Sequence, residues 1–233
     1  LYRLPEHQAI INRMGFNNDG IDALIARVTD TPRPRAILGI NLGKNKNTPN
    51  EQALDDYLIG IQKAWAHADY LAINISSPNT AGLRDLQHGA ALRTLLTGIK
   101  SEQQRLAAST QKHVPIVVKI APDLGDADVD GVADLAVEEE MDGVVATNTT
   151  VAHFHGEGGL SGVPVRARAL EVVSRLRKRL GPDYIVIGVG GIFTVSDAEA
   201  MVSAGADLLE ALTGFVYEGP LMPGRINRAL ARK

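Results

Sequence analysis

Residues 71–84 read Leu71-Ala-Ile-Asn74-Ile-Ser76-Ser77-Pro78-Asn79-Thr80-Ala-Gly82-Leu83-Arg84. An apolar start with strand character breaks into neutral hydrogen-bonding side chains: two Asn amides, two Ser hydroxyls and a Thr. In a parallel α/β protein the C-terminal ends of strands carry the chemistry, because the loops there are free of packing duty. A plain turn would also use Ser, Pro and Asn. The rest of the chain decides against it, because similar polar groups close other apolar runs.

Asn12, Asn17, Asn41, Asn74, Asn79 and Asn148 all fall in polar loops or at strand ends. Each amide offers both a donor and an acceptor, so a ring of them suits a planar ligand with alternating C=O and N–H groups, such as a pyrimidine dione or a flavin. Lys119 ends a Val/Ile run, where an ammonium needs an anion or a polar cofactor edge, or must snorkel to solvent. Gly158-Gly-x-Ser161-Gly162 and Gly188-x-Gly190-Gly191 are short Gly-rich stretches that could bring backbone N–H groups to a phosphate. Neither follows the first strand, so neither fits a dinucleotide fingerprint. Lys44 and Lys46 read as solvated surface residues. His153 and His155 are two apart, but Glu157 is the only carboxylate nearby, too few ligands for a zinc site. Glu138-Glu139-Glu140 reads as a solvated helix end.

The elements that must position these groups alternate. Residues 9–20 read as a polar, Gly-punctuated loop, followed by a helix over 21–28 and a connector, Thr31-Pro32-Arg33-Pro34. A strand is expected at 36–41. Thr48-Pro49-Asn50-Glu51 has the capping-box pattern with Pro at the first helical position, predicting a helix to about residue 66. The strand at 71–74 is followed by a helix over about 90–108, a strand over 114–120 and a helix over 129–139. A further strand begins at Gly143 and ends in Thr147-Asn148-Thr149-Thr150. A Gly-rich loop over 151–164 precedes a helix marked by Leu170, Val173, Leu176 and Leu180 at helical spacing. A strand at 184–189, a helix capped by Ser196-x-x-Glu199, a strand at 207–212 and a helix at 223–231 complete the chain. Continuous apolar strands separated by helices belong to a parallel sheet covered on both faces. Polar or Gly-rich ends on five of six strands favour a barrel mouth over the single crevice of a doubly wound sheet. The fold class is therefore α/β, a (β/α)₈ TIM barrel represented by six βα units, two having been lost. Residues 1–233 form one domain with no linker.

Composition narrows the function. Of 233 residues, 45% are hydrophobic and 22% charged, as in ordinary globular proteins. A net charge of -3 and 4% aromatics give no general attraction to nucleic acid and no base-stacking platform. With no cysteine, disulfides, thiolate metal sites and cysteine nucleophiles are excluded. No apolar run reaches the ~20 residues of a membrane span. The chain opens at Leu1-Tyr2-Arg3-Leu4-Pro5 without Met, as if in mid-element, so a longer protein is expected.

Taken together, Asn12-Arg13-Met14-Gly15-Phe16-Asn17-Asn18, Asn41-Leu-Gly-Lys-Asn-Lys46, Asn74-Ile-Ser-Ser77-Pro-Asn79-Thr80 and Thr147-Asn148-Thr149-Thr150 are distinctive. With the two Gly-rich stretches, in this order and spacing, the sequence resembles the class 2, quinone-dependent dihydroorotate dehydrogenases along essentially its whole length. The related class 1 enzymes have Cys at the position of Ser77. The resemblance implies an FMN-containing barrel oxidising (S)-dihydroorotate to orotate in pyrimidine biosynthesis. Ser77 is then the base for the C5 proton; a lone hydroxyl is a poor base, so a water or Thr relay in a desolvated site is needed, with Phe16 and Thr80 as its neighbours. Substrate contacts are implied for Asn12, Arg13, Met14, Gly15, Phe16, Asn17, Asn74, Asn79, Asn148 and Thr149. FMN contacts are implied for Asn41, Asn74, Lys119 and Thr147, with Gly162, Gly190, Gly191, Thr213 and Gly214 around the phosphate. A quinone as final acceptor and peripheral attachment of the full-length protein to the cytoplasmic face of the membrane are implied as well.

The departures are specific. The family's N-terminal helices, first two strands and a flavin-binding segment with a substrate-binding Lys have no counterpart here. Leu212 stands where the family has Tyr, and the lid loop between Val151 and Glu157 is short. Two unpaired sheet edges make an aggregation-prone and inactive fragment an expectation. Two other readings are another FMN barrel oxidoreductase and a non-catalytic partial barrel. An orotate titration separates the first, and absent flavin absorbance would favour the second.

Overall fold

The computed structural model describes residues 1–33 and 35–232; Pro34, the last residue of the expected connector, lies outside the described residues. Strands β1 (Tyr2–Leu4) and β2 (Ala9–Asn12) precede helix α1 (Ile21–Asp30). Then come β3 (Gly39–Gly43), α2 (Ala53–Ala64), β4 (Tyr70–Asn74), α3 (Gly89–Thr110), β5 (Ile116–Ile120), α4 (Asp126–Glu138) and β6 (Gly143–Ala146). β7 (Gly159–Gly162) and α5 (Arg166–Leu180) follow, then β8 (Ile185–Val189), α6 (Val195–Ser203), β9 (Leu208–Glu210), α7 (Thr213–Glu218) and α8 (Met222–Leu230).

Six strands form a parallel sheet in the order β3-β4-β5-β6-β8-β9. Each neighbour is the next parallel strand in sequence, so the order never reverses. A doubly wound sheet needs such a reversal to create its crevice, whereas a barrel wall does not. The sheet is a curled parallel half-barrel, and β3 and β9 are its edges.

Side-chain alternation divides the strands between two environments. Leu71, Ile73, Ile116, Val118, Ile120, Val144 and Val186 join the large core packed under the helices. Ala72, Val117, Val145 and Ile187 form a second, smaller cluster on the inward face. The inward series continues to the strand ends, where Asn41, Asn74, Lys119 and Glu210 replace apolar residues. Register sets Asn74 beside Gly43 on one side and Lys119 on the other.

Several boundaries differ from the sequence reading. Residues 9–12, expected in a loop, form β2, because Ala9, Ile10 and Ile11 are buried and pair antiparallel with β7. β7 itself lies within the expected Gly-rich loop, and β1 completes this three-stranded sheet. β3 begins later than residue 36 and extends past Asn41 to Gly43, following its pairing with β4. The capping box at Thr48 does not form. A 3₁₀ turn, Asn50–Gln52, starts the helix instead, and the Asn50 amide donates to the Gly82 carbonyl at 2.7 Å. At α6 the capping box is Thr194 with Asp197, two residues before the expected Ser196 pair. The strand expected at 207–212 is cut to Leu208–Glu210, and α7 begins at Thr213.

Leu71 is fully buried between β4's neighbours and the helices. Leu71→Ala is expected to lower stability by about 2–5 kcal/mol, from lost transfer energy plus the cavity left behind. Urea denaturation with an unchanged slope and a lower midpoint would check this.

Candidate functional site

The mouth of the half-barrel is organised by the side chain of Asn74, which ends β4 and is buried. Its Oδ1 accepts from the Ser76 hydroxyl at 2.9 Å, the Ser76 backbone N–H at 3.2 Å and the Asn148 amide at 3.3 Å. Its own amide donates to Asn41 Oδ1 at 3.4 Å, and Asn148 also donates to Ser76 Oγ at 3.0 Å. Three of the expected amides, from the middle of β3, the end of β4 and the segment after β6, thus form one chain. Beneath it the buried Tyr57 of α2 donates its hydroxyl to the Asn74 carbonyl at 2.8 Å.

Ser77, also buried, follows immediately. Its Oγ accepts from the Asn79 N–H at 3.3 Å. Asn79 in turn donates to the carbonyl and side-chain oxygens of Asn12, both at 3.1 Å. β2 delivers Asn12 to this point, and the Asn12 amide reaches the Gly159 carbonyl of β7 at 3.4 Å. The small antiparallel sheet therefore brings the N-terminal motif to the barrel mouth. Gly15 lies against the Asn79 carbonyl: a Cβ there would come within 2.9 Å, and its φ of 54° is left-handed. Phe16 covers Gly43, whose hypothetical Cβ would sit 2.6 Å from the ring. Two hydroxyls at the mouth, Thr80 Oγ1 and Thr149 Oγ1, are buried without a hydrogen-bond partner among the described residues. A buried polar atom left in this state costs free energy, which a bound ligand or water can recover.

Beside this network, at the ends of β5, β6, β8 and β9, opens a cleft with an enclosed volume of about 100 Å³. Lys119, Thr147, Asn148 and Glu210 line one part, and Ser161 and Thr213 another. The Lys119 ammonium pairs with Glu210 Oε2 at 2.7 Å. Thr213 donates to Ser161 Oγ at 2.8 Å. Gly162, Gly190, Gly191 and Gly214 line the cleft with bare backbone. These glycines are also needed for packing. A Cβ at Gly162 would lie 2.2 Å from the Gln8 carbonyl, and one at Gly214 would lie 2.0 Å from that of Ile192. A cleft with polar side chains at both ends and a wall of bare backbone has the chemistry to take a planar group with a phosphate tail.

Other expected residues lie apart from this convergence. Asn17 and Met14 are exposed, and Arg13 makes an exposed ion pair with Glu157 at 2.8 Å. That pair links the N-terminal motif to the loop between β6 and β7. His153 bonds the Gly158 carbonyl at 3.0 Å and its ring accepts from the His155 N–H at 3.3 Å. Lys44, read as solvated, is 2% exposed and donates to the Asn45 and Thr48 carbonyls. The reading is corrected because alternation running on through Gly43 puts the next residue on the buried, helix-facing side with Ile40 and Leu42. Lys46 remains exposed. Tyr57, Asp123 and Glu210 went unnoticed as site residues. Tyr57 belongs to a helix pattern, and Glu210 pairs with Lys119 only through strand order.

The sequence matches the family model for dihydroorotate dehydrogenase over residues 1–233. The chain belongs to the dihydroorotate dehydrogenase family. It is 52% identical to the dihydroorotate dehydrogenase (quinone) of Flavobacterium lutescens, with all of this chain and 69% of the relative covered. It is 51% identical to the protein of that name from Saccharophagus degradans, covering 99% of this chain and 70% of the relative. Among solved structures, the Eimeria tenella enzyme in complex with ferulenol superposes with a TM-score of 0.90 at 38% identity, covering 98% of this chain and 68% of that one. The chain spans somewhat more than two thirds of these dihydroorotate dehydrogenases. Among the described residues no helix is long and apolar enough to cross a membrane.

Burial pushes the Tyr57 hydroxyl well above the usual 10.0, and the Asp56 carboxylate adds to this, while the Lys44 backbone N–H opposes it. Above pH 10.0 the unfolded chain loses this proton while the folded chain keeps it, so the unfolded state binds fewer protons and stability falls as pH rises. Tyr57→Phe is expected to cost about 0.5–1.5 kcal/mol at neutral pH, from the lost bond to Asn74. The variant should also show a flatter decline in denaturation midpoint above pH 10.0 than the unsubstituted chain.

Proposed function

We propose that this chain carries the site at which a quinone-dependent dihydroorotate dehydrogenase oxidises (S)-dihydroorotate to orotate, within one FMN-binding barrel domain. The observation that carries the reading is the convergence of Ser77 with the Asn12–Asn79 pair and the Asn74–Asn148 pair. A planar dione with a carboxylate needs such a set of paired donors and acceptors. The family and its quinone-named relatives supply the reaction class.

In this reading Asn12, Asn79 and Asn148 hold the substrate's carbonyl, N–H and carboxylate edges, with Asn74 bridging to the cofactor side. Asn17, Thr149 and residues 13–16 complete the substrate side. Ser77 Oγ takes the proton from C5. A serine hydroxyl is too weak a base alone, so the proton must move on through a neighbour in a water-poor site. Thr80, three residues later in the same turn, is buried with an unpartnered hydroxyl and suits that relay. Phe16 keeps bulk water from the site. FMN, when bound, would supply the acceptor for the hydride leaving C6, and a quinone would take the electrons on. Lys119, Thr147 and Asn41 would hold its ring system, and Gly162, Gly190, Gly191, Thr213 and Gly214 its phosphate. The quinone-dependent members' peripheral association with the cytoplasmic face of the membrane is part of the same proposal for the full-length protein.

Anaerobic addition of dihydroorotate to the purified full-length protein is expected to bleach its flavin absorbance. Ser77→Ala should slow bleaching by roughly 10²–10⁴-fold while leaving the flavin band in place. A flavin-containing protein that ignores dihydroorotate would overturn the substrate, and a colourless one would overturn the cofactor. Glu210→Gln removes the carboxylate that neutralises Lys119 in the cleft. It should tighten binding of the anionic FMN by roughly 0.5–1 kcal/mol, measured by quenching of flavin fluorescence.

A further inference from the structure

One ion pair outside the network just described ties three loops of the mouth together. Arg84 lies in the 3₁₀ turn Leu83–Gln87, downstream of Ser77. Its guanidinium donates in three directions: Nε to the Ser76 carbonyl at 3.0 Å, Nη2 to the Thr149 carbonyl at 2.8 Å, and Nη1 to Asp123 Oδ2 at 2.6 Å. Asp123, in the loop after β5, also accepts from the Val151 N–H at 3.1 Å and from the Thr150 hydroxyl. Both side chains are about four-fifths buried. From the same turn, Gln87 accepts the Ala121 N–H at 2.8 Å, holding the end of β5 a second time.

The three anchored segments have distinct duties. The Ser76 carbonyl is one residue from the proposed base. Thr149 adjoins Asn148, which bonds both Ser76 and Asn74. Thr150 and Val151 begin the loop that runs to Glu157 and is held at its far end by Arg13. We infer that Arg84, braced by Asp123, is a positioning residue that sets Ser77 against the substrate-holding Asn148 and fixes the root of the loop over the site. The inference rests on the functional reading given above. A planar guanidinium can satisfy three divergent acceptors at once, whereas a lysine ammonium on its flexible stem can keep the charge but not this fork geometry.

The test uses Arg84→Gln and Arg84→Lys, read by amide hydrogen exchange and by the rate of flavin bleaching with dihydroorotate. In both variants, exchange is expected to quicken over residues 149–157 and to stay unchanged in α3 and β5. Bleaching should slow by about 10–100-fold at saturating substrate, the scale expected when reacting groups are displaced by about an ångström. Flavin occupancy should not change. Recovery of the rate in Arg84→Lys would reduce the role to charge and overturn the bracket. Faster exchange throughout the chain would mean a merely structural role and would also overturn it, as would unchanged exchange at 149–157. If the unsubstituted protein fails to bleach, the functional reading falls and the catalytic half of this inference with it; the exchange data then still decide whether the bracket holds the loop.

Discussion

A buried carboxamide must have its donors and acceptors satisfied inside the protein, and at the end of β4 that requirement shapes the whole mouth. Asn74 cannot reach water, so Asn41 of β3, Asn148 after β6 and Ser76 from the turn after its own strand come to it. The backbone carbonyl of the same residue is met by Tyr57 from the helix layer. Low local polarity strengthens each of these bonds and raises the cost of losing one. The loops carrying Ser77 and Thr149 are therefore held by the same constraint that keeps the strand end folded.

The parallel sheet makes this arrangement possible. Its register places the inward residues Asn74 and Lys119 side by side, and the sequential strand order brings the last strand's Glu210 around to Lys119. The large apolar core fixes the outward residues, and a strand shifted by one residue would exchange the two faces. Positioning of the polar mouth is thus a by-product of burying Leu71, Ile73, Ile116 and Val118.

The antiparallel sheet of β1, β2 and β7 has a different part. It is built on a small cluster of Ala9, Ile11 and Leu160. It carries Asn12 to Asn79, and Ser161 to Thr213, joining the proposed substrate side to the proposed cofactor cleft. The close approach of Gly162 to Gln8 is what lets β7 pair with β2. A glycine stretch that suggests phosphate binding therefore also has a packing reason.

The amino-acid sequence by itself determined the alternation of strands and helices, the parallel sheet and the polar strand ends, because burial on both faces writes continuous apolar runs at local spacing. It also singled out Ser77, Asn74, Asn79 and Asn148, since uncharged polar side chains closing a buried strand are legible from the chain alone. Only the tertiary structure decided that residues 9–12 and 159–162 pair, that Lys44 is buried, and that Lys119 meets Glu210. It alone decided, too, that Arg84 and Asp123 bracket the loops. These pairings join residues up to 150 or so positions apart, where no local periodicity carries information and the partner is chosen by which surfaces the packed sheet brings within hydrogen-bond reach.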